Sequence, residues 1–229
     1  MLRKTPLVEG ETYHIFNRGA HKQEIFLRPV DYDRFMCLLH LSNTSKKIHL
    51  SDFWSKSRIS SGNIYERRVD KALVDILAYT LMPNHFHLIL LQKCEGGISL
   101  FMKKLATAYA MYFNVVHEHS GVVFQGRYQS LHIDTEPYHR WIFSYVHLNP
   151  VDLVESGWQE QGIVNVRRTR HFMKNYHYSS YLDFCGRERQ EKVIVNLQAV
   201  PWYIRKNNDL EDMLKWERRG RKLYVKDRP

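Results

Sequence analysis

The first half of the chain carries hydrophobic patterns of two different periods. Residues 12–17 alternate their side chains as a strand does, and residues 31–41 repeat apolar side chains at helical spacing. Two apolar runs follow at 73–82 and 86–91, and the Pro-Asn pair between them suits a tight turn. These patterns predict a strand, a helix and an antiparallel hairpin, in that order.

A second helix and a last strand complete this unit. Residues 100–116 place Leu, Phe, Ala and Tyr on a helical repeat, and residues 129–134 are short and mixed, as a final strand can be. The order β-α-β-β-α-β is that of the ferredoxin-like arrangement, an antiparallel sheet with two helices on one face. We therefore predict an α+β fold of this class, which by itself fixes no function.

Three further segments lie outside this six-element unit. Residues 43–71 are rich in Ser, Lys and Arg, and they predict an irregular excursion that includes the run Ser-Ser-Gly-Asn at 60–63. Residues 137–148 predict another helix. Asn149-Pro150 is expected to end it, because the residue before proline is pushed out of the α region. The charged segment 210–227 has helical character.

Basic side chains dominate the charge of the chain. Lys and Arg number 34 against 24 Asp and Glu, a formal net charge of +10, which favours a polyanionic partner and above all nucleic acid. No apolar stretch is long enough to span a bilayer, and the first residues lack the apolar run of a signal peptide. The cysteines, Cys37, Cys94 and Cys185, are odd in number and widely separated, so neither disulfides nor a zinc knuckle are indicated. We expect a cytoplasmic protein without membrane contact.

Two pairs of residues could carry chemistry. His85 and His87 are two apart in a predicted strand, so both imidazoles point to one face and can reach one cation, although a chain with 13 histidines also produces this spacing by chance. Tyr145 and Asn149 are four apart and project from one helical face. Each also suits an ordinary role, as one core aromatic among 14 tyrosines and as the cap of a helix end.

Three motifs taken together are more specific than either pair. Residues 82–88 read MPNHFHL, residues 124–128 read FQGRY and residues 145–151 read YVHLNPV. In this order they resemble the single-tyrosine HUH transposases of the IS200-like family, in particular the REP-associated tyrosine transposase branch. The resemblance implies a catalytic domain over residues 1–151, with the excursion inside it, and a C-terminal extension over 152–229 that binds DNA.

The resemblance also implies the roles of the site residues. His85, His87 and Asn149 become the ligands of a divalent metal, Mg²⁺ or Mn²⁺, and Tyr145 becomes the nucleophile. The implied reaction cuts single-stranded DNA near hairpin-forming repeats through a 5′-phosphotyrosine and rejoins it. No nucleotide cofactor is expected, because the phosphotyrosine keeps the energy of the cut bond. Tyr109, on the second helix, is the runner-up nucleophile.

Basic residues near these motifs are candidates for contacts with DNA phosphates. They are Arg18, Arg127, Arg167, Arg168 and Arg170. Such arginines are also common on ordinary solvated surfaces. Some transposases of this kind are dimers that share tyrosines, whereas the REP-associated branch can act as monomers, so a monomer is favoured and a dimer stays open.

Two other functions compete with this interpretation. One is a catalytically silent, domesticated protein that binds a DNA sequence, against which the set of His85, His87, Tyr145 and Asn149 argues, because a binder needs none of the four together. The other is a metallohydrolase with a water nucleophile, which predicts activity that survives loss of Tyr145. It also usually needs further His or carboxylate ligands, and the sequence offers none at a suitable spacing.

Overall fold

One antiparallel sheet organises the protein, whose computed structural model describes residues 6–47, 54–55, 58–59, 64–205 and 210–224. The strands are β1 (Thr12–Arg18), β2 (Trp54–Ser55), β3 (Arg58–Ile59), β4 (Val74–Met82), β5 (His85–Gln92) and β6 (Gln129–His132). The main sheet has the order β4-β5-β1-β6, while β2 and β3 form a separate two-stranded sheet in the excursion. This is the predicted ferredoxin-like order, which is thereby confirmed.

Helices cover both faces of the sheet. They are α1 (Pro29–Leu41), α2 (Gly97–Val116), α3 (Glu136–Leu148), α4 (Trp158–Gln161), α5 (Val166–Met173), α6 (Tyr181–Phe184), α7 (Trp202–Arg205) and α8 (Leu210–Leu223). Helices α1 and α2 pack on one face around a core that includes Phe35 and Leu88. Helix α3 packs on the other face with Ile89, and α8 lies along α3. Because both faces are covered, β4 and β5 are buried along almost their whole length.

Helix α3 ends where the sequence predicted, but the reason given for its end is wrong. Asn149 precedes a proline and still has α-region angles, φ −51° and ψ −41°, and its N–H donates to the carbonyl oxygen of Tyr145. The chain then tightens into a 3₁₀ turn, Asn149–Leu153. Pro150 is tolerated there because the first turn of a helix needs no N–H donor at that position.

The C-terminal region closes the free edge of β4. The Leu81 N–H donates to the Tyr178 carbonyl at 2.9 Å, and the Ser180 N–H donates to the Tyr79 carbonyl at 3.0 Å. A buried ion pair stabilises this segment, in which the guanidinium of Arg189 lies 2.6 Å from the carboxylate of Asp183. An uncovered edge would present unpaired backbone groups to other strands, and this segment occupies them.

Two sequence predictions lie partly outside the described residues. The run at 60–63 and the last three residues of the predicted helix 210–227 fall there. Within the part of the chain that the structure describes, no helix has the length and apolarity that crossing a bilayer requires.

The Arg189–Asp183 pair generates a prediction about stability. Its side chains are 8% and 0% exposed, so Arg189→Leu leaves a carboxylate inside the protein without its counter-charge. We expect the free energy of unfolding in urea to fall by about 3–5 kcal/mol. Lys192→Leu is the control, because it breaks an exposed ion pair with Glu188 and should change that free energy by less than about 1 kcal/mol. Equal losses would contradict the role given to burial.

Candidate active site

Strand β5 places His85 and His87 on the sheet face that α3 covers. The two ring centroids are 5.0 Å apart, His87 is buried and His85 is partly exposed. The same face carries Ile89 two residues further on, which packs in the core beneath α3. Strand alternation therefore delivers both imidazoles to one place, as their spacing indicates.

Asn149 meets His85 across this face. Its Oδ1 lies 3.0 Å from Nε2 of His85, while Nδ1 of the same ring lies 2.6 Å from Oδ1 of Asn84. Burial lowers the pKa of His85 below its usual value, which favours the neutral ring with a single N–H. If Asn84 accepts that hydrogen, Nε2 and the Asn149 oxygen face each other with lone pairs. Two adjacent ligands of an octahedral ion, each about 2.1 Å from it, are separated by about 3.0 Å.

The second candidate ligand, Nε2 of His87, has no hydrogen-bond partner. Nδ1 of the same ring lies 3.0 Å from Nε2 of His14, and Nε2 of His87 is buried. Burial also lowers the pKa of His87 well below its usual value. A buried polar atom left without a partner is costly, and a bound cation would satisfy this one.

The donor set of two imidazole nitrogens and an amide oxygen fits a divalent ion. It leaves positions open for substrate oxygens, as hard ions such as Mg²⁺ and Mn²⁺ require, although imidazoles also accept Zn²⁺. Among the described residues, no group of three or more His, Cys, Asp and Glu side chains could hold a metal. The set therefore depends on the amide of Asn149 as its third member.

Tyr145 stands one helical turn before Asn149 on α3. Its ring centroid is 5.5 Å from that of His87, and the two rings meet edge to face at 82°. The side chain is only 4% exposed, and the ring of Trp141 packs beside it at 5.9 Å. The helix thus brings the candidate nucleophile and the candidate amide ligand to the histidines together, in a closed arrangement.

Tyr109 lies on the opposite face of the sheet. It is fully buried in the core under α1 and α2, and its hydroxyl donates to the carbonyl oxygen of Ile25. Burial raises its pKa far above the usual value for a phenol. The structure brings Tyr145, and not Tyr109, to His85 and His87.

The loop 124–128 forms a basic rim beside His85. Arg18 of β1 lies opposite His85 of β5 in the strand register. The carbonyl of Arg18 accepts a hydrogen bond from the N–H of Gln125 at 2.8 Å. Asn17 donates through Nδ2 to the carbonyl of Gly126 at 3.2 Å. Gly126 itself has φ +70°, a conformation that favours glycine. Arg18 and Arg127 are both exposed on this rim.

The basic run of the C-terminal region lies on α5, which packs against the turn Asn149–Leu153. Arg167, Arg168 and Arg170 are exposed on this helix. Arg170 pairs with Glu211 of α8 at 2.6 Å. The structure therefore sets two exposed arginines, Arg167 and Arg168, next to the end of α3 that carries Asn149.

His14 is the neighbour of this site that the sequence did not reveal. A histidine in a strand is an ordinary polar residue, and nothing in its local pattern points to His87, 73 positions away. Only the register of β1 against β5, in which Phe16 lies opposite His87, brings the two rings to the same face.

Two comparisons with known proteins give matches, one to a family and one to a solved structure. A family model described as "Transposase IS200 like" matches residues 35–149, half of the chain, and that stretch contains His85, His87, Tyr145 and Asn149. No curated protein matches. Among solved structures, a REP-associated tyrosine transposase bound to a REP hairpin aligns with a TM-score of 0.50 and 13% identity, over 83% of this chain and 89% of that one. At this identity the likeness shows a shared fold.

The orphaned nitrogen of His87 leads to a prediction about metal binding. Mn²⁺ at about 100 times its Kd should raise the free energy of unfolding of the wild type by about 2.7 kcal/mol, and His87→Ala should lose this increment. His139→Ala is a matched control, since His139 is also buried, with Nδ1 bonded to Tyr203 and Nε2 unpartnered. Thermal unfolding with and without Mn²⁺ measures both, and an undiminished increment in His87→Ala would exclude this residue as a ligand.

Proposed function

The chain belongs to the IS200-like transposase family, and on that premise we propose that it cuts and rejoins single-stranded DNA near hairpin-forming repeats. In this proposal Tyr145 is the nucleophile, and His85, His87 and Asn149 hold a divalent metal. The observation that carries the proposal is the meeting of these four side chains on one sheet face, with 3.0 Å between His85 and Asn149 and 5.5 Å between the rings of His87 and Tyr145.

The proposed chemistry is a transesterification. The Tyr145 hydroxyl oxygen attacks the scissile phosphorus, a P–Oη bond forms and the P–O3′ bond breaks. The phenol gives up its proton and the leaving oxygen gains one, so the products are a free 3′-hydroxyl and a 5′-phosphotyrosine. A divalent ion, when bound, neutralises charge on the phosphate oxygens. A second 3′-hydroxyl then displaces Tyr145 and reseals the strand, and no nucleotide is consumed.

The chain's own residues position the nucleophile. Tyr145 lies in the last turn of α3 and Asn149 caps the C-terminal end of that helix, so a movement of α3 would carry the proposed nucleophile and the proposed amide ligand together. Because the Tyr145 residue is only 4% exposed, the proposal includes an opening of the groups around it before a DNA phosphate reaches its hydroxyl. Direct attack requires the reacting atoms to approach within about 3.5 Å, so binding of DNA must supply the free energy of that opening.

The proposed partner is DNA that contains a hairpin. The similar solved structure holds a REP hairpin, and the net charge of +10 suits a polyanion. We assign phosphate contacts to Arg18 and Arg127 on the rim, and to Arg167 and Arg168 on α5. Arg170 has a weaker claim, because its guanidinium is already paired with Glu211.

We also propose a division of labour along the chain. Residues 1–151 carry the reaction, and residues 152–229 contribute α5 to DNA binding. A cytoplasmic monomer is the proposed acting form. The segment around Tyr178 supports it, because it already pairs with the backbone of Tyr79 and Leu81 on the edge strand β4, where a second copy would otherwise add a strand.

A second candidate function has one specific observation in its favour. The burial of Tyr145 also suits a domesticated protein that binds hairpin DNA without cutting it. The two functions differ in one product, the covalent adduct between protein and DNA.

The first prediction of the proposal concerns that adduct. Labelled single-stranded DNA with the neighbouring genomic hairpin, incubated with Mn²⁺, should give a slow-migrating band on a denaturing gel with the wild type and none with Tyr145→Phe. Tyr109→Phe is the matched control and should keep the adduct, because Tyr109 lies in the opposite core. Cleavage by Tyr145→Phe would point to water or to another tyrosine, and binding without any adduct would favour the silent binder.

The second prediction concerns α5. The double variant Arg167→Ala/Arg168→Ala should weaken hairpin binding and reduce the slope of log K against log salt by about 2, since each lost phosphate contact contributes about 0.9. Arg67→Ala/Arg68→Ala is the control, because it removes the same charge from two adjacent exposed arginines just before β4, at the end of the sheet away from His85. An equal effect of both variants would show that only net charge matters.

A further inference from the structure

A third histidine touches the proposed metal site without belonging to its ligand set. His14 lies on β1, fully buried, and its Nε2 is 3.0 Å from Nδ1 of His87. It stands two residues before Phe16, which faces His87 in the strand register. Neither the three motifs nor the proposed chemistry gives His14 a role.

The contact between the two rings has the geometry of a hydrogen bond. Their planes are 21° apart and their centroids 5.2 Å apart. That separation equals the 3.0 Å contact plus one ring radius at either end, so the nitrogens meet edge to edge in nearly the same plane. A lone pair on an imidazole nitrogen lies in the ring plane, which is where a donor must approach it.

The ligand role of His87 determines the direction of this bond. Nδ1 is already engaged with His14, so only Nε2 of His87 is available to a metal, and a ligand nitrogen must keep its lone pair. The single hydrogen of the ring must then sit on Nδ1 and needs an acceptor. Nε2 of His14 is the atom at that position. This leaves the N–H at Nδ1 of His14 buried without a partner, an exception of the kind that functional sites retain.

His85 shows the same arrangement with a different acceptor. Oδ1 of Asn84 lies 2.6 Å from its Nδ1, and its Nε2 faces Asn149. Both candidate ligand histidines therefore have a polar neighbour at Nδ1, which leaves Nε2 as the nitrogen available to a metal. His14 is placed to accept the Nδ1 hydrogen of His87, as Asn84 is placed to accept that of His85.

We propose that His14 is a positioning residue, which accepts the Nδ1 hydrogen of His87 and so fixes the tautomer and orientation in which His87 presents Nε2 to the divalent ion. This inference rests on the proposed metal site. Partners of this kind typically raise metal affinity by about 10- to 100-fold. A purely structural His14, which packs against the ring of Phe16 at 5.0 Å, would contribute no such increment.

Two substitutions of His14 separate positioning from packing. His14→Leu removes the acceptor, and His14→Gln places an amide oxygen near the position of Nε2. By calorimetric titration with Mn²⁺, we expect His14→Leu to bind about 10- to 100-fold more weakly than the wild type and His14→Gln to recover most of the affinity. His40→Leu is the control. His40 is a buried histidine on α1 whose Nε2 bonds the Arg67 carbonyl at 2.8 Å, and its loss should leave Mn²⁺ affinity unchanged.

The outcomes distinguish this inference from the proposed function. Wild-type affinity in folded His14→Leu, or equal weakening in His14→Leu and His14→Gln, would overturn the positioning role alone. If the wild type binds no ion in a manner that depends on His85 and His87, the proposed metal site fails and the inference fails with it. Weakening in His40→Leu as large as in His14→Leu would assign the effect to general loss of stability.

A second measurement needs no variant of His14. In the Zn²⁺-loaded wild type, long-range ¹H–¹⁵N spectra of the imidazoles report which nitrogen carries hydrogen, and His87→Gln identifies the signals of His87. We expect hydrogen on Nδ1 of His87, in a slowly exchanging bond. An Nε2-protonated His87 with a bare Nδ1 would overturn the proposal, because His14 would then be the donor.

Discussion

The docking of α3 on the second face of the sheet is the contact on which the candidate site depends. His85 and Asn149 are 64 positions apart and come within 3.0 Å only because this helix lies across β4 and β5. Its apolar side chains, among them Trp141, Ile142 and Leu148, are fully buried in the core that it forms with the sheet and the C-terminal helices. Burial of this apolar surface stabilises the position from which Tyr145 and Asn149 reach the histidines.

The C-terminal region contacts both α3 and the sheet. Helix α8 lies so close to α3 that a Cβ at Gly220 would stand 2.0 Å from the ring of Trp141, so glycine permits the approach. The segment around Tyr178 pairs with β4, and Arg189 with Asp183 anchors that segment in the interior. The extension is therefore part of what holds the site, and α5, which carries Arg167 and Arg168, is set beside the end of α3 by the same packing.

Burial has two consequences for the chemistry of the site. It lowers the pKa of His85 and His87, which favours the neutral imidazoles that can act as ligands. It also encloses Tyr145, which is only 4% exposed. The same burial therefore favours neutral rings in the proposed ligands and restricts access to the proposed nucleophile, so an opening of the structure around α3 belongs to the proposed reaction.

Much of this protein follows from its sequence because the deciding signals are local. Hydrophobic period gave the elements of the ferredoxin-like order, and strand and helix spacing paired His85 with His87 and Tyr145 with Asn149. Contacts between distant segments could not be derived in this way, since they depend on register and packing. The register of β1 against β5 put His14 beside His87. Packing buried Tyr109 in the core on the other face of the sheet, and it brought Glu211 to Arg170. The sequence determined which groups could act together, and the tertiary structure decided which of them meet, because only packing fixes distances between residues far apart in the chain.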